Sequence, residues 1–422
     1  MSNRLSRLNI AILKEKEKEM LVLVINCGSS SLKYQLIQMD NEELIAKGLV
    51  ERIGIDGSVI SHTTIGKEKK VIETPMKNHE DAIKLVMQAL VDPEYGAVKS
   101  LDEIDAIGHR VVHGGETYKS SVLIDDKVVK DLEACISLAP LHNPPNLAGI
   151  KACRELMPDA PEVAAFDTAF HQTMKPEAYL YAIPYRFYEK YAIRRYGFHG
   201  LSHMFMANEA AKLLNVDVDD LKLITCHLGN GASVTAIKHG RSFDTSMGYT
   251  PLEGLVMGTR CGDIDPTIID AIGEKEGITD EEVNTLLNKE SGVLGISGVS
   301  SDFRDLEKAM KEGNKRAELA LKVFARKVRF YIGAYIAEMD GADAIVFTGG
   351  IGENDKYMRS LICSNMGNLG IKLDPVKNNS TEDAVILSTD DSKIKVLKLA
   401  TNEELVIARD TKNIVEKFVN RK

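Results

Sequence analysis

Three short stretches of the chain place glycine, in two of them with serine, at the end of an apolar run. Leu21 to Ile25 is continuously apolar and is followed by Asn26-Cys27-Gly28-Ser29-Ser30-Ser31. Leu223-Ile224-Thr225-Cys226 is followed closely by Gly229-Asn230-Gly231-Ala232-Ser233, and Ala344 to Thr348 runs into Gly349-Gly350-Ile351-Gly352-Glu353-Asn354. A phosphate must be met by backbone N–H groups and hydroxyls without a Cβ in the way, which is what glycine and serine offer at a strand exit. One such turn reads equally well as a tight hairpin. Three of them point to a nucleotide such as ATP. Lys33, beside the first turn, adds charge there unless strand alternation points it outward. A Walker A loop would need Gly-Lys-Ser/Thr opening a helix, and here a strand follows, so a P-loop fold is not expected.

Cations are the second ingredient. Ile107-Gly108-His109-Arg110-Val111-Val112-His113-Gly114-Gly115 sets an arginine and two histidines directly after a strand, and Gly258-Thr259-Arg260-Cys261-Gly262-Asp263 holds an arginine in a glycine-flanked loop. A lone loop arginine is usually solvated or structural, but glycine on both sides lets the backbone shape itself around a ligand. His142 in Leu141-His142-Asn143-Pro144-Pro145 and His199 in Tyr196-Gly197-Phe198-His199-Gly200 each read, singly, as packing residues. The acidic candidates are Asp167, Asp302 and Glu403. Mg²⁺ takes one or two protein oxygens and completes its octahedron with water and phosphate, so no compact metal motif is expected.

The elements that must carry these residues alternate between strand and helix. Leu32, Tyr34 and Leu36 alternate with polar residues after the first turn, predicting a β-hairpin, and Val234 to Ile237 predicts a second one after Gly229 to Ser233. Their likeness, about 200 residues apart, hints at duplication. Ile83, Val86, Met87 and Leu90 share one face of a helix over Asp81 to Val91, and a long helix is predicted from about Ala317 to Glu338. Thr279-Asp280-Glu281-Glu282 reads as a capping box. The class is therefore α/β. A length of 422 residues predicts two or three domains, with a hinge expected near Asp167 to Gln172.

With 44% hydrophobic and 27% charged residues the chain can build sizeable cores, and its formal charge of −9 argues against a nucleic-acid surface. Six cysteines without a CxxC pair predict neither a zinc site nor a disulfide framework and suit a reducing, cytoplasmic setting. No apolar run is long enough to span a bilayer. Residues 1–19 end in Lys14-Glu15-Lys16-Glu17-Lys18-Glu19, unlike any signal peptide, and read as either a helical extension or the product of an upstream start codon wrongly chosen.

In order, Val24 to Lys33, Gly108 to Gly115, Tyr196 to Gly200 and Phe347 to Asn354 resemble the motifs of the acetate kinase family, from Met20 to the C-terminus. The resemblance implies two duplicated actin-like (RNase H-like) domains with a cleft between them. They would comprise residues 20–168 plus 405–422, and residues 169–404 carrying the nucleotide site and the interface of a homodimer. Residues 1–19 have no counterpart in the family pattern, and Cys27 stands where alanine is common. The implied activity is reversible Mg-ATP-dependent phosphoryl transfer to acetate, giving acetyl phosphate and ADP, with Mn²⁺ as a substitute metal.

By the same resemblance, Arg110 and Arg260 hold the carboxylate, and Val112, Leu141, Phe198 and Pro251 form an apolar pocket for its methyl group. His199, Asp167 and both arginines act on the transition state, with His142 nearby. Nucleotide contacts fall on Lys33, Asn230, Gly231, Asp302, Phe303, Arg304, Gly350, Ile351 and Asn354, and the metal side on Asn26 and Glu403. Acetate is already ionised at neutral pH, because carboxylic acids have pKa values near ~4 to 5. No general base is needed, and Asp167 is better cast as orienting an arginine or holding metal. Propionate or butyrate kinase would share nearly all of these motifs. An actin- or Hsp70-like ATPase would not need paired arginines beside an apolar pocket.

Overall fold

The structure is a computed structural model, and it describes residues 20–420. The reading of residues 1–19 lies outside the described residues. The chain divides into two compact units, one ending at Ala169 and resuming at Asn402, the other Phe170–Thr401.

The first unit is built on eight strands: β1 (Leu21–Cys27), β2 (Ser31–Gln38), β3 (Glu43–Glu51), β4 (Val59–Thr64), β5 (Lys70–Glu73), β6 (Ala106–Val111), β7 (Val122–Leu123) and β8 (Glu162–Phe166), in the order β5-β4-β3-β2-β1-β6-β8-β7. The second has β9 (Lys222–Leu228), β10 (Ala232–Lys238), β11 (Arg241–Thr245), β12 (Ala344–Thr348), β13 (Ala384–Ile386) and β14 (Lys395–Leu399), in the order β11-β10-β9-β12-β14-β13. Each unit opens with an antiparallel meander of three strands whose first member is continued on its other side by two further parallel strands in succession, and an antiparallel strand closes the far edge. Six strands of the first sheet therefore repeat the whole of the second. The duplication hinted at by two hairpins is present in the connectivity of both sheets.

The helices that matter for the site are α1 (His79–Leu90), α2 (Asn143–Leu156), α3 (Gly200–Leu214), α4 (Phe303–Lys311), α5 (Lys315–Glu338), α6 (Gly349–Asn354) and α7 (Glu403–Asn420). Strands β1, β6 and β8 are buried along nearly their whole length because α2 covers one face of β1 and β6 and α7 packs on the same sheet through β1, β6 and β8. Leu23, Ile25, Leu32 and Leu36 join Ile83, Val86 and Leu90 of α1 in one core. Gly108 on β6 is required by close approach: a Cβ there would lie 2.5 Å from Thr411 Oγ1 and 2.6 Å from Ile407 Cγ2 of α7. In the second unit α3 packs on β9, β12 and β14, and α5 on β9 and β10. No helix among the described residues is long and apolar enough to cross a membrane.

Candidate active site

Each unit gathers a set of polar groups at the ends of its central strands. In the first unit β1 ends at Asn26 and Cys27, the chain turns with Gly28 N donating to Ser31 O at 2.8 Å, and β2 departs. His79 Nε2 lies 2.7 Å from Gly28 O and ties this turn to the start of α1. Arg110, near the end of the neighbouring β6, reaches the same place. Its Nε and Nη2 donate to Asp167 Oδ1 and Oδ2 at 3.0 and 2.5 Å, and its Nη1 donates to Asn26 Oδ1 at 3.2 Å. Asp167 directly follows β8 and is buried, its backbone N donating to Val111 O. The fork is thus held on three sides. Burial works against the Arg110 cation, but Asp167 and Glu403 outweigh it and push its pKa up.

Glu403 opens α7. Burial raises its carboxyl to about 7, with Arg110 opposing the rise and Asp167 adding to it. Lys33 is exposed on β2 and also favours the charged form of Glu403. Two acids so close create a demand for further positive charge. Hard oxygens are what Mg²⁺ binds, and the Glu403 carboxyl and the Asn26 amide oxygen, both grouped around Arg110, are of that kind. Among the described residues no group of three or more His, Cys, Asp or Glu is arranged to hold a metal.

In the second unit His199 precedes α3 with φ +57, a left-handed conformation that costs a residue with a Cβ of order 1 kcal/mol or more. Its Nδ1 lies 2.9 Å from Ser233 Oγ on β10. Arg260 arrives from a loop, with Nη1 donating to Pro251 O at 3.2 Å. Burial lowers its pKa with no carboxylate opposing the shift, and among the described residues it pairs with none. A Cβ added at Gly231 would sit 3.4 Å from Arg260 Nη1 and 3.6 Å from His199 Nε2. Both groups therefore converge on a space that the glycine leaves open. Asn230 adjoins it, and its backbone O accepts from Gly258 N at 3.0 Å.

Beside this point lies a cavity of about 890 Å³ lined by Gly229, Asn230, Asp302, Phe303, Arg304, Gly350, Ile351 and Asn354, among others. Seven of the nine residues expected to touch nucleotide are in its wall; Gly231 and Lys33 are not. Asp302 caps α4 by accepting from Arg304 N, and also binds that arginine's side chain at 2.5 to 3.2 Å. The glycine run after β12 becomes α6. Gly349 turns with φ +76 against the Leu228 carbonyl, and its N donates to Glu353 Oε1 at 2.8 Å.

The expected acetate-pocket residues are distributed between the units. Val112 is buried in the first, with its backbone N bound by Asn146 Oδ1, and Phe198 is buried in the second. Pro251 is half-buried beside Arg260. Leu141 is 66% exposed and lines a separate groove with Ser29, His79 and Pro144. His142 stands at the residue before α2 without a side-chain capping hydrogen bond to it. The polar residues packed behind His199, namely His203, Ser233 and Thr225, were not expected. Ser233 stands out in the sequence only as part of the second glycine and serine stretch, and His203 and Thr225 carry no signal of their own there.

Residues 21–409 match the Acetokinase family. A protein named acetate kinase from Alkaliphilus metalliredigens (strain QYMF) is 61% identical over 396 residues, which is 94% of this chain and all of that protein. The crystal structure of Porphyromonas gingivalis acetate kinase is similar at TM-score 0.90 and 46% identity, covering 94% of this chain and all of that one. A propionate kinase from Francisella tularensis subsp. tularensis SCHU S4 gives TM-score 0.87 at 42% identity over the same shares.

Proposed function

Since the chain belongs to the acetokinase family, we propose that it transfers the γ-phosphoryl of ATP reversibly to acetate, giving acetyl phosphate and ADP. Arg110, Arg260 and His199 do the electrostatic work of the transfer. The observation that carries this reading is the contrast between the two arginines. Arg110 is held as a fixed fork by Asp167 and Asn26, whereas Arg260 is a half-buried cation with no carboxylate partner among the described residues, aimed with His199 at the space over Gly231. A partly desolvated cation of this kind suits an anion supplied from outside the protein.

An acetate oxygen attacks γ-phosphorus in line with the departing ADP oxygen, without a phosphoenzyme. The acetate is already ionised, so Asp167 takes no proton and serves to orient Arg110. The difficulty is bringing two anions together, and planar guanidinium groups offset it; arginines so placed are worth roughly 10³ to 10⁵ in rate. His199 donates from Nε2 to an oxygen of the moving group. Asn230 and Gly231 lie on the phosphate side, and the cavity bounded by Asp302, Phe303, Arg304, Gly350, Ile351 and Asn354 takes adenosine. Glu403 and Asn26 would hold Mg²⁺, which when bound neutralises phosphate charge. Val112 and Phe198 give the acetate methyl an apolar wall.

The enzyme is cytoplasmic in this reading, and its six cysteines, all free, suit that setting. It forms a homodimer through the second unit, where Phe330 of α5 is 58% exposed. The likeness to a propionate kinase supports propionate as a secondary acceptor. Trapping the acyl phosphate as hydroxamate with acetate, propionate and butyrate tests the function. Acetate should give the highest kcat/KM, and absence of acetyl hydroxamate would overturn the reading.

A further inference from the structure

Behind His199 runs a string of buried polar side chains that the transfer step does not itself use. Thr225 Oγ1 on β9 lies 2.7 Å from His203 Nδ1, His203 Nε2 lies 2.7 Å from Ser233 Oγ on β10, and Ser233 Oγ lies 2.9 Å from His199 Nδ1. Thr225, His203 and Ser233 are all fully buried.

The string has a direction. His203 is neutral: burial pushes its pKa well down, and the His171 and His227 rings nearby push the same way. The rings facing it are His171 at 5.8 Å between centroids and His199 and His227 at 6.4 Å each. A neutral imidazole has one N–H, so one of its nitrogens must accept. Thr225's hydroxyl has His203 Nδ1 as its hydrogen-bond partner among the described residues. If it only accepted there, its own proton would be buried without an acceptor, at a cost of about 1–3 kcal/mol. Thr225 therefore donates to His203 Nδ1, His203 Nε2–H donates to Ser233 Oγ, and the Ser233 hydroxyl donates to His199 Nδ1.

We infer that Thr225, His203 and Ser233 form a one-way hydrogen-bond relay that fixes His199 as the Nε2–H tautomer, making them positioning residues for the phosphoryl transfer. The consequence for the site is geometric. Nε2 is the His199 nitrogen that faces the space over Gly231 shared with Arg260. With the proton held on Nε2, His199 meets a phosphoryl oxygen as a donor; with the proton on Nδ1 it would present a lone pair to an anion. The inference rests on the proposed acetate kinase reading for its effect on rate, but its structural core, the tautomer, is independent of that reading.

The test is a long-range ¹H–¹⁵N correlation spectrum of the intact protein labelled with ¹⁵N-histidine near pH 7, with His199 assigned by the signals lost in His199→Gln. The wild-type ring should show a protonated-type Nε2 and an unprotonated-type Nδ1. Ser233→Ala should give a tautomer mixture and lower kcat by about 10- to 100-fold, while the KM values for ATP and acetate stay within about threefold, and Ser233→Thr should restore both spectrum and kcat. Thr225→Val keeps the shape and removes the terminal donor, so it should perturb His199 in the same sense even if Ser233→Ala fails to fold. A wild-type His199 protonated on Nδ1 would overturn the inference, as would a folded Ser233→Ala or Thr225→Val enzyme with unchanged tautomer and kcat. If the wild-type protein made no acetyl phosphate, the functional reading would fall while the spectra still decided the relay.

Discussion

Replacing Asp167 with asparagine isolates the orienting role assigned to it. In the native protein its two oxygens accept from Arg110 Nε and Nη2 at 3.0 and 2.5 Å. Asparagine keeps the shape but offers one acceptor, and turns an NH₂ group toward the other guanidinium donor. Arg110 stays tethered through Nη1 to Asn26 Oδ1 at 3.2 Å, so the fork should swing rather than leave. Losing one charge-assisted hydrogen bond is worth about 1.5–3 kcal/mol, which converts to roughly 10- to 150-fold in kcat/KM if Arg110 must be in register at the transition state. Asp167→Ala removes both acceptors and strands a buried cation, which should also cost about 3–5 kcal/mol of stability. The assay is hydroxamate trapping over a range of acetate, alongside thermal melts. If Asp167→Asn kept kcat/KM for acetate within about threefold while Arg110→Ala lost ~10³ or more, Arg110 would be positioned by something other than Asp167.

Three further outcomes are expected. Gly231→Ala should fold normally, since the new Cβ would meet its neighbours at 3.4 Å or more, yet lose at least ~10² in kcat/KM by occupying the space where the phosphoryl group must sit; unimpaired turnover would place that group elsewhere. Val112→Ala should raise butyrate relative to acetate, each accommodated methylene gaining about 0.8 kcal/mol, and an unchanged ratio in the hydroxamate assay would move the acyl pocket away from Val112. Burial holds Asp244 up at about 7 rather than 3.8, with Arg195 opposing and Glu338 adding to the shift. Its stabilising contribution is complete below its ordinary pKa and lost as pH rises through about 7, a cost of up to roughly 4 kcal/mol once ionised. Asp244→Asn should therefore gain Tm over the wild type between pH 5 and 8; a pH-independent difference would contradict this.

What the sequence discloses about this fold is mostly local. Strand alternation and glycine turns announce both hairpins, because a period of two and a two- or three-residue turn are properties of neighbouring residues. The long helix begins at Lys315, two residues before the apolar pattern suggests, because the Asn314 side chain caps it. The capping box at Thr279 and Glu282 forms as its spacing implies. The run from Gly349 to Asn354 reads as a loop but is a helix, since Glu353 turns back to accept from the first N–H, a contact that glycine content does not signal. In the candidate site, Arg110 and Arg260 stand out by their glycine surroundings. Their difference does not, because the carboxylate that fixes Arg110 lies 57 residues away, beyond an adjacent strand. The same holds for Ser233, which meets His199 and His203 across 34 and 30 residues.

The helix Glu403–Asn420 belongs to the unit whose sheet is translated first. Strands β1, β6 and β8 exist as polymer once residue 166 is made, but the surface beside Gly108 that accepts Ile407 and Thr411 waits until the whole second unit has been added. At about 5–20 residues per second, the more than 200 residues in between take roughly 10 to 50 s to add. For that interval the N-terminal sheet carries a naked apolar face on the ribosome, while the second unit, contiguous in sequence, can close as soon as it emerges. The order of synthesis and the order of completion are thus reversed, and the nascent N-terminal half is the part of this protein with most to gain from a chaperone.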